Sequence, residues 1–139
     1  MSSPTAFDAF TTRLGAYTAM PVRFENERTQ DLVDGGAPAW LFVEVYGDRF
    51  DQETMGAPGA NLWIEEGVTN LHVMVPAQTG SREARTYAND LANLFREQPI
   101  GGLFMPEMSI GAGEPGKEFP NYWSMCLSIR WRRGDITSI

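Results

Sequence analysis

The fold is decided near the C-terminus, by the stretch Trp123-Ser-Met-Cys-Leu-Ser-Ile-Arg-Trp131. Large apolar residues alternate there with polar or small ones over nine positions. Because successive side chains of a strand point to opposite faces, this period of two predicts a strand with one buried and one polar face. We expect the face with Trp123, Leu127, Ile129 and Trp131 to pack against helices.

Two helices are predicted upstream of this strand. Ser3-Pro4 has the form of an N-cap followed by proline at the first helical position, and it opens a helix over residues 5–17. Thr79-Gly-Ser81 opens the second helix, which Pro99 and Gly101 end. Its apolar stripe has helical spacing and consists of Ala84, Tyr87, Ala88, Leu91, Leu94 and Phe95.

The remaining chain reads as shorter strands and loops. Strands are predicted at residues 22–24, 40–46, 62–64, 71–75 and 103–110, with Glu65-Glu66-Gly67 as a turn. Residues 25–38, 47–60 and 111–122 are interpreted as loops. The order of elements predicts an α+β fold, an antiparallel or mixed sheet with two amphipathic helices packed on one face. We expect residues 1–139 to form a single domain.

Composition excludes several functional classes. The net charge of -7 disfavours general nucleic-acid binding, which needs clustered cations on the surface. No apolar run is long enough to cross a membrane, and the N-terminus has no basic stretch followed by an apolar one, so we expect neither a span nor a secretory signal. The single cysteine, Cys126, is typical of a protein made in a reducing cytoplasm.

Catalytic and metal-binding patterns are missing from the sequence. His72 is the only histidine and has no second histidine or cysteine at ligand spacing. Cys126 has no neighbour in the sequence that could act as its base, and Glu65 and Glu66 are interpreted as solvated turn residues. The glycines of residues 111–116 lack the Lys-Ser or Lys-Thr of a phosphate loop. We therefore predict no catalytic, cofactor-binding or metal residues and no enzymatic activity.

Candidate interface residues lie in the long loops and at the end of the last strand. The loops hold the apolar side chains Phe50, Met55 and Phe119. The strand ends with Arg130, Arg132 and Arg133, which are either a solvated basic edge or a protein contact, since arginine is enriched at interfaces. We predict that the loops are mobile in the isolated protein and become ordered on binding.

The order of motifs resembles the tail terminator proteins of long-tailed phages with flexible tails, and of the prophages and gene transfer agents built like them. The resemblance covers nearly the whole chain. Its segments are Phe7-x-x-Phe-x-x-x-Leu14, Pro38-Ala-Trp-Leu-Phe-Val-Glu-Val-Tyr-Gly47, Gly67-x-x-x-Leu-x-Val-x-Val-Pro76, Ala88-Asn-Asp-Leu-Ala-Asn-Leu-Phe95 and the strand from Trp123 to Trp131.

The resemblance implies a structural virion protein. Six copies would cap the tail tube as a homo-hexameric ring, end tube polymerisation and provide the surface on which the head connector or stopper docks. The implied partners are other copies of the chain, the tail tube protein and the head connector. DNA would pass through the ring without specific binding, and no membrane or cofactor is implied. The protein would be made in the bacterial cytoplasm and lie in the tail or neck of the particle.

Two alternatives stay open at the sequence level. A head-to-tail stopper or adaptor shares the size, the charge and the ring-forming habit of a terminator. A small cytoplasmic ligand-binding domain or enzyme is a different class, and a pocket with convergent polar groups would favour it.

Overall fold

A five-stranded sheet with helices on both sides organises the chain. The computed structural model describes residues 3–54, 61–98, 100–111 and 119–136. Eight elements follow in the order α1 (Pro4–Leu14), β1 (Val22–Phe24), α2 (Gln30–Asp34), β2 (Trp40–Gln52), β3 (Leu62–Pro76), α3 (Arg82–Phe95), β4 (Phe104–Ile110) and β5 (Tyr122–Ile136).

The sheet is mixed. Its strands lie side by side in the order β1-β2-β3-β5-β4. The short β1 pairs parallel with β2, and the other three pairings are antiparallel. The α+β fold with a mixed sheet is therefore confirmed.

Helix α1 begins where the sequence predicts and ends three residues early. The Ser3 hydroxyl accepts a hydrogen bond from the Ala6 amide at 3.3 Å, and Pro4 is the first helical residue. After Leu14 the amides of Ala16 and Tyr17 bond to carbonyls only three residues back, at 3.3 and 2.9 Å. Bonds of this kind tighten the last turn and close the helix before residue 17.

The main core lies between the sheet and the helices α1 and α3. Phe10 and Leu14 of α1 meet Leu91 and Phe95 of α3, and all four are buried. From the sheet, β2, β3 and β5 contribute alternate residues, and the packed face of β5 is Met125, Leu127, Ile129 and Trp131. The placement of these two helices on one face agrees with the sequence prediction.

Trp123 departs from that prediction. It pairs with Val75 at one end of the sheet and stays 43% exposed, although it shares the face of the buried Leu127. The alternation places Trp123 on the correct face, but only the position of the helices decides how much of that face is covered.

A second apolar cluster covers the opposite face of the sheet. Trp40, Phe42 and Met74 are buried there, and Leu32 and Val33 of α2 pack against them. The prediction that residues 25–38 are loop is therefore wrong, since they include α2. This helix has five residues, too short for an apolar stripe to be recognised, and its contacts with Trp40 and Phe42 hold it in place.

The long strands also correct one predicted loop and one predicted turn. Strand β2 continues to Gln52, so residues 47–52 are not loop, and β3 is one continuous strand through Glu65, Glu66 and Gly67. Both segments contain polar residues and glycine, which local propensity assigns to turns. Pairing with β5 on one side and β2 on the other holds residues 62–67 extended.

Candidate functional site

The three arginines at the end of β5 point to different faces of the sheet. Arg130 and Arg132 occupy the face opposite α1 and α3, whereas Arg133 alternates to the helix side. Strand β2 bulges between Gly47 and Arg49 beside this region, so that the register of the pairing shifts by one residue.

Arg133 is engaged within the protomer. Its Nε donates to Glu65 Oε1 at 2.6 Å, and the two side chains are only 10% and 5% exposed. The same carboxylate accepts from the Ser3 amide at 2.8 Å and the Ser3 hydroxyl at 2.6 Å. Glu65 thus joins the start of α1 to β3 and β5. Its interpretation as a solvated turn residue is wrong, because β3 does not turn there.

Burial alone would raise the pKa of Glu65. The hydrogen bonds from Ser3 and from Arg133 outweigh that effect, so the pKa of this carboxyl lies below its usual value. Glu65 and Arg133 therefore form a charged pair inside the protomer, and Arg133 has little surface left for a neighbouring molecule. Of the arginine candidates, Arg130 and Arg132 remain exposed.

Arg130 and Arg132 form the exposed cationic part of the sheet. Arg130 lies 3.5 Å from Asp48, and the two side chains are 59% and 55% exposed. The guanidinium of Arg132 stacks over the Phe104 ring at 4.9 Å from its centroid. Phe104 is itself 53% exposed, and sequence reasoning missed it. The signal that could have found it is its place on β4, which pairs with the end of β5.

Glu66 links these cations to β2. It accepts from Arg49 Nε at 2.9 Å and lies opposite Arg132 in the register. The hydrogen bond from Arg49 lowers the pKa of Glu66, and the charges of Arg49, Arg132 and Arg130 lower it further, while burial acts in the opposite direction. The exposed end of the sheet is therefore a network of alternating charges rather than an isolated basic patch.

The three apolar interface candidates differ in position and exposure. Phe50 lies on β2, is 49% exposed and meets Trp63 edge to face at 5.4 Å. Phe119 is half-buried, with its ring centroid 4.9 Å from Trp40 and 5.6 Å from Phe42, so it covers the second apolar cluster of its own protomer. Met55 lies outside the described residues.

His72 has a buried partner that the sequence did not reveal. Its Nε2 lies 2.7 Å from Glu44 Oε1 on the neighbouring strand, and both residues are buried. The Tyr46 hydroxyl donates to the other oxygen of Glu44, and this hydrogen bond, with burial, raises the pKa of Tyr46 to about 12. The partner of His72 is thus a carboxylate 28 positions away, which spacing along the sequence could not reveal.

Cys126 lies directly opposite His72 in the strand register. Glu44, His72 and Cys126 thus lie on three adjacent strands. A carboxylate, an imidazole and a thiol in this order also occur where a base activates a cysteine nucleophile. Cys126 is only 1% exposed, however, and His72 only 5%. The thiol and the imidazole are therefore covered by the packed sheet.

Neither a metal site nor a membrane span is found among the described residues. Among them, no group of three or more His, Cys, Asp or Glu side chains is placed to hold a metal ion. None of the described helices has the length and hydropathy needed to span a bilayer.

Comparison with known proteins identifies a family. A family model described as phage tail terminator protein matches residues 6–131. The chain belongs to this family. Tail terminators are structural components of phage tails, and the chain is accordingly a tail component of the virion. No curated protein matches the sequence.

The tail terminator chain also shares its fold with a solved structure. That structure superposes with a TM-score of 0.61 and is 21% identical, and the match covers 100% of this chain and 98% of the other. The likeness at this identity concerns the fold alone. It extends over the α1 start and the β5 end, which the family match leaves out.

Proposed function

We propose that this tail terminator caps the tail tube as a homo-hexameric ring, ends tube polymerisation and provides the surface on which the head connector or stopper docks. The observation that carries the proposal is the family match over residues 6–131. The site agrees with it, since its exposed residues suit protein contacts and its buried His72 and Cys126 do not suit catalysis.

A cap needs contacts in several directions. Each copy must bind its neighbours in the ring, the tail tube protein below and the head connector above. The described residues expose six large apolar side chains, which are available for such contacts. They are Tyr46, Phe50, Phe104, Ile110, Trp123 and Ile136.

DNA would pass through such a ring without specific binding. The net charge of -7 favours this passage, because like charges discourage a polyanion from adhering to the wall. The exposed cations Arg49 and Arg130 also have carboxylate neighbours within 4 Å, which reduces their attraction for phosphate. The ring would form in the bacterial cytoplasm and remain at the neck of the finished particle.

Deletion of the gene tests the proposal. We expect particle-producing cells without the protein to make tails longer than the wild-type length, and a plasmid copy to restore that length in electron micrographs. A stopper gives a different result, namely tails of normal length and heads that lose DNA. Normal tails and full heads in the deletion strain would contradict both functions.

A further inference from the structure

Strand β2 is an edge strand over its second half. The short β1 pairs only with Leu41–Val43 of β2, and the Glu25 carboxylate extends this cover by accepting the Val45 amide at 3.0 Å. From residue 46 to residue 52, no other described strand lies beside β2 on this side. We name residues 46–52 the β2 edge. All of its residues except Gly47 are exposed.

Strand β4 is the edge strand at the other side of the sheet. It pairs with β5, and no other described strand lies beyond it. We name its residues, Phe104–Ile110, the β4 edge. The seven residues of this strand equal the length of the β2 edge. The sheet therefore ends on both sides in strands of matching length, and an edge with unpaired backbone groups is a template for a further strand.

The β2 edge directs backbone groups away from the sheet. The Glu53 amide donates to the Leu62 carbonyl of β3 at 2.8 Å. Because the backbone groups of an antiparallel strand point alternately to its two neighbours, Phe50 and Gln52 direct their amides and carbonyls to the opposite side. That side is the one on which β1 has already ended. Phe50 and Gln52 are therefore able to bond a further strand.

The β4 edge is built in the same way. The Gly111 amide donates to the Cys126 carbonyl of β5 at 2.8 Å. The same alternation directs the amides and carbonyls of Met108 and Ile110 away from β5. Each edge thus presents a pair of residues, with one residue between them, whose backbone groups have the geometry of a β-ladder.

The directions of the two edge strands suit each other. Strands β2 and β5 both run antiparallel to β3, and β4 runs antiparallel to β5. Within one copy, β4 is therefore antiparallel to β2. Rotation of a second copy about an axis along the strands keeps this relation, so its β4 would meet β2 of the first copy as an antiparallel strand. The contact would continue the antiparallel pairing of β2, β3, β5 and β4 from one copy into the next.

Exposed apolar side chains are concentrated on these edges. Of the six large ones among the described residues, four lie there, namely Tyr46, Phe50, Phe104 and Ile110. Phe50 pairs with Glu65 and Ile110 with Leu127, so both side chains lie on the side of the sheet that carries α1 and α3. Antiparallel pairing of the edges would bring these two side chains near each other and bury apolar surface.

Both edges also carry features that limit pairing. Strand β2 bulges between Gly47 and Arg49, and Pro106 of β4 has no amide hydrogen to donate. Bulges, prolines and charges keep edge strands from pairing with unrelated chains. The ladder is therefore confined to the residues around Phe50 and Met108. A short ladder makes a weak contact between free copies, which suits a protein that joins its copies only at the end of a tube.

We propose that the β2 edge of one copy pairs antiparallel with the β4 edge of the next copy, so that the sheets of neighbouring copies become continuous. A contact between two different patches is heterologous and closes into a ring when the rotation between copies permits. Closure would pair both edges of every copy, which protects them from other chains. The inference rests on the proposed function, because it assigns the strands through which ring neighbours meet.

Disulfide cross-linking in assembled particles tests the contact. Particles are made in the deletion strain from two chains, one carrying Phe50→Cys and the other carrying Met108→Cys or Ile110→Cys. Cysteines opposite each other in a ladder have Cα atoms about 5.5 Å apart, within disulfide reach. After mild oxidation we expect a covalent dimer from one of the two mixtures, and its partner residue gives the register. The native Cys126 is only 1% exposed and should not compete.

Each variant alone is the first control, since a heterologous contact brings no two copies of the same residue together. Thr86→Cys in place of the β4 cysteine is the second, because Thr86 is exposed on α3. Absence of a dimer from both mixtures overturns the inference. A dimer of either variant alone, which indicates an isologous contact, also overturns it. A cross-link from Phe50→Cys to a different protein overturns it too and assigns the β2 edge to that protein.

Proline at residue 52 tests whether the contact is a backbone ladder. Gln52→Pro removes an amide that points away from β3, so β2 keeps its pairing within the copy. Gln52→Ala is the matched control, because it loses the same side chain and keeps the amide. We expect Gln52→Pro to lower the amount of protein retained in particles on the order of tenfold relative to Gln52→Ala, since a partner carbonyl is left unsatisfied. Equal retention at equal melting temperature overturns the ladder.

Failure of the proposed function has a different signature. In that case the deletion strain makes tails of wild-type length, whether or not the edges cross-link. Failure of the edge contact alone leaves unchanged the overlong tails of the deletion strain and their repair by the wild-type plasmid.

Discussion

Gly67 lies where the β2 bulge, β3 and the indole of Trp131 meet. A Cβ added at Gly67 would stand 2.5 Å from the Trp131 ring and would also collide with the Tyr46 carbonyl. The ring cannot move aside freely, because it is 2% exposed and its Nε1 donates to Thr69 Oγ1 at 3.1 Å. Glycine is therefore needed here for lack of space rather than for backbone freedom.

We predict that Gly67→Ala destabilises the protein by about 1 to 3 kcal/mol, the usual cost of overpacking. Gly134→Ala is the matched control, since its Cβ would meet only the flexible ends of Leu62 and Ile64, at 3.3 and 3.8 Å. That change should alter stability by about 0.5 kcal/mol or less. Urea unfolding of both variants measures the difference, and equal midpoints would show that Trp131 can shift.

The Glu65 carboxylate predicts a pH dependence of stability. Its pKa is lowered in the folded state, so its contribution is fully present above the unfolded value of about 4.3 and is lost as the pH falls through the folded pKa. Glu65→Gln removes the close partner of Arg133, whose side chain is 10% exposed and keeps only Asp135 at 3.9 Å. We expect a cost of about 3 kcal/mol at neutral pH, the low end for breaking a buried pair.

The melting temperatures of wild type and Glu65→Gln should converge as the pH is lowered below about 4. Glu66→Gln is the control, because its pair with Arg49 is exposed and contributes about 0 to 1 kcal/mol. A constant difference between wild type and Glu65→Gln across the acid range would show that the carboxylate charge does not stabilise the fold.

At the scale of elements, α3 and β5 meet through residues that their sequence periods predicted. Leu91 of α3 and Leu127 of β5 are both fully buried in the core between the sheet and the helices. Ser128, the next residue along β5, points to the opposite face and donates to Asn70 Oδ1 at 2.9 Å. The alternation of β5 thus separates a packing position from a polar position at adjacent residues.

Leu91→Ala and Leu127→Ala should each cost about 2 to 5 kcal/mol, because truncation leaves a cavity in this core. Ser128→Ala removes the hydrogen bond to Asn70 and the weaker contact with the Cys126 thiol, and it should cost about 1 kcal/mol. Thermal unfolding followed by circular dichroism measures the three variants. Equal, small shifts at all three positions would contradict the orientation of β5.

For the whole molecule, the two apolar clusters share their strands. Leu41 and Val43 of β2 face α1 and α3, while Trp40 and Phe42 of the same strand face α2. Loss of packing on one face therefore destabilises β2 and, with it, the cluster on the other face. The two clusters should unfold as one cooperative unit.

Trp40→Ala tests this coupling. We expect it to lower the temperature at which α1 and α3 lose their helical circular dichroism, with a cost of about 3 to 5 kcal/mol, although Trp40 lies on the other face. Trp123→Ala should have a much smaller effect, because Trp123 is 43% exposed. Two separated transitions, with the helical one unmoved by Trp40→Ala, would show that the faces unfold independently.

The periodic segments could be predicted from the sequence alone. The alternation of residues 123–131 predicts a strand, and the apolar stripe of residues 84–95 predicts a helix. Each pattern also shows which side of the element is apolar. The cap at Ser3 and Pro4 is equally local. The family could also be predicted from the sequence, because the resemblance rested on the order of such segments along the chain.

Tertiary structure alone decided what depends on distant partners. Residues 47–52 and 65–67 have turn-like composition and became strands because β2 and β5 pair with β3 on both sides. His72 contacts Glu44, and Arg133 bonds to Glu65, which lies 68 positions away in the sequence. Side chains so far apart in the chain leave no periodic pattern, and their contacts exist only once the sheet has formed. For this reason the sequence could point to Arg130, Arg132 and Arg133 together, while the fold separated two exposed cations from one that is paired and largely covered.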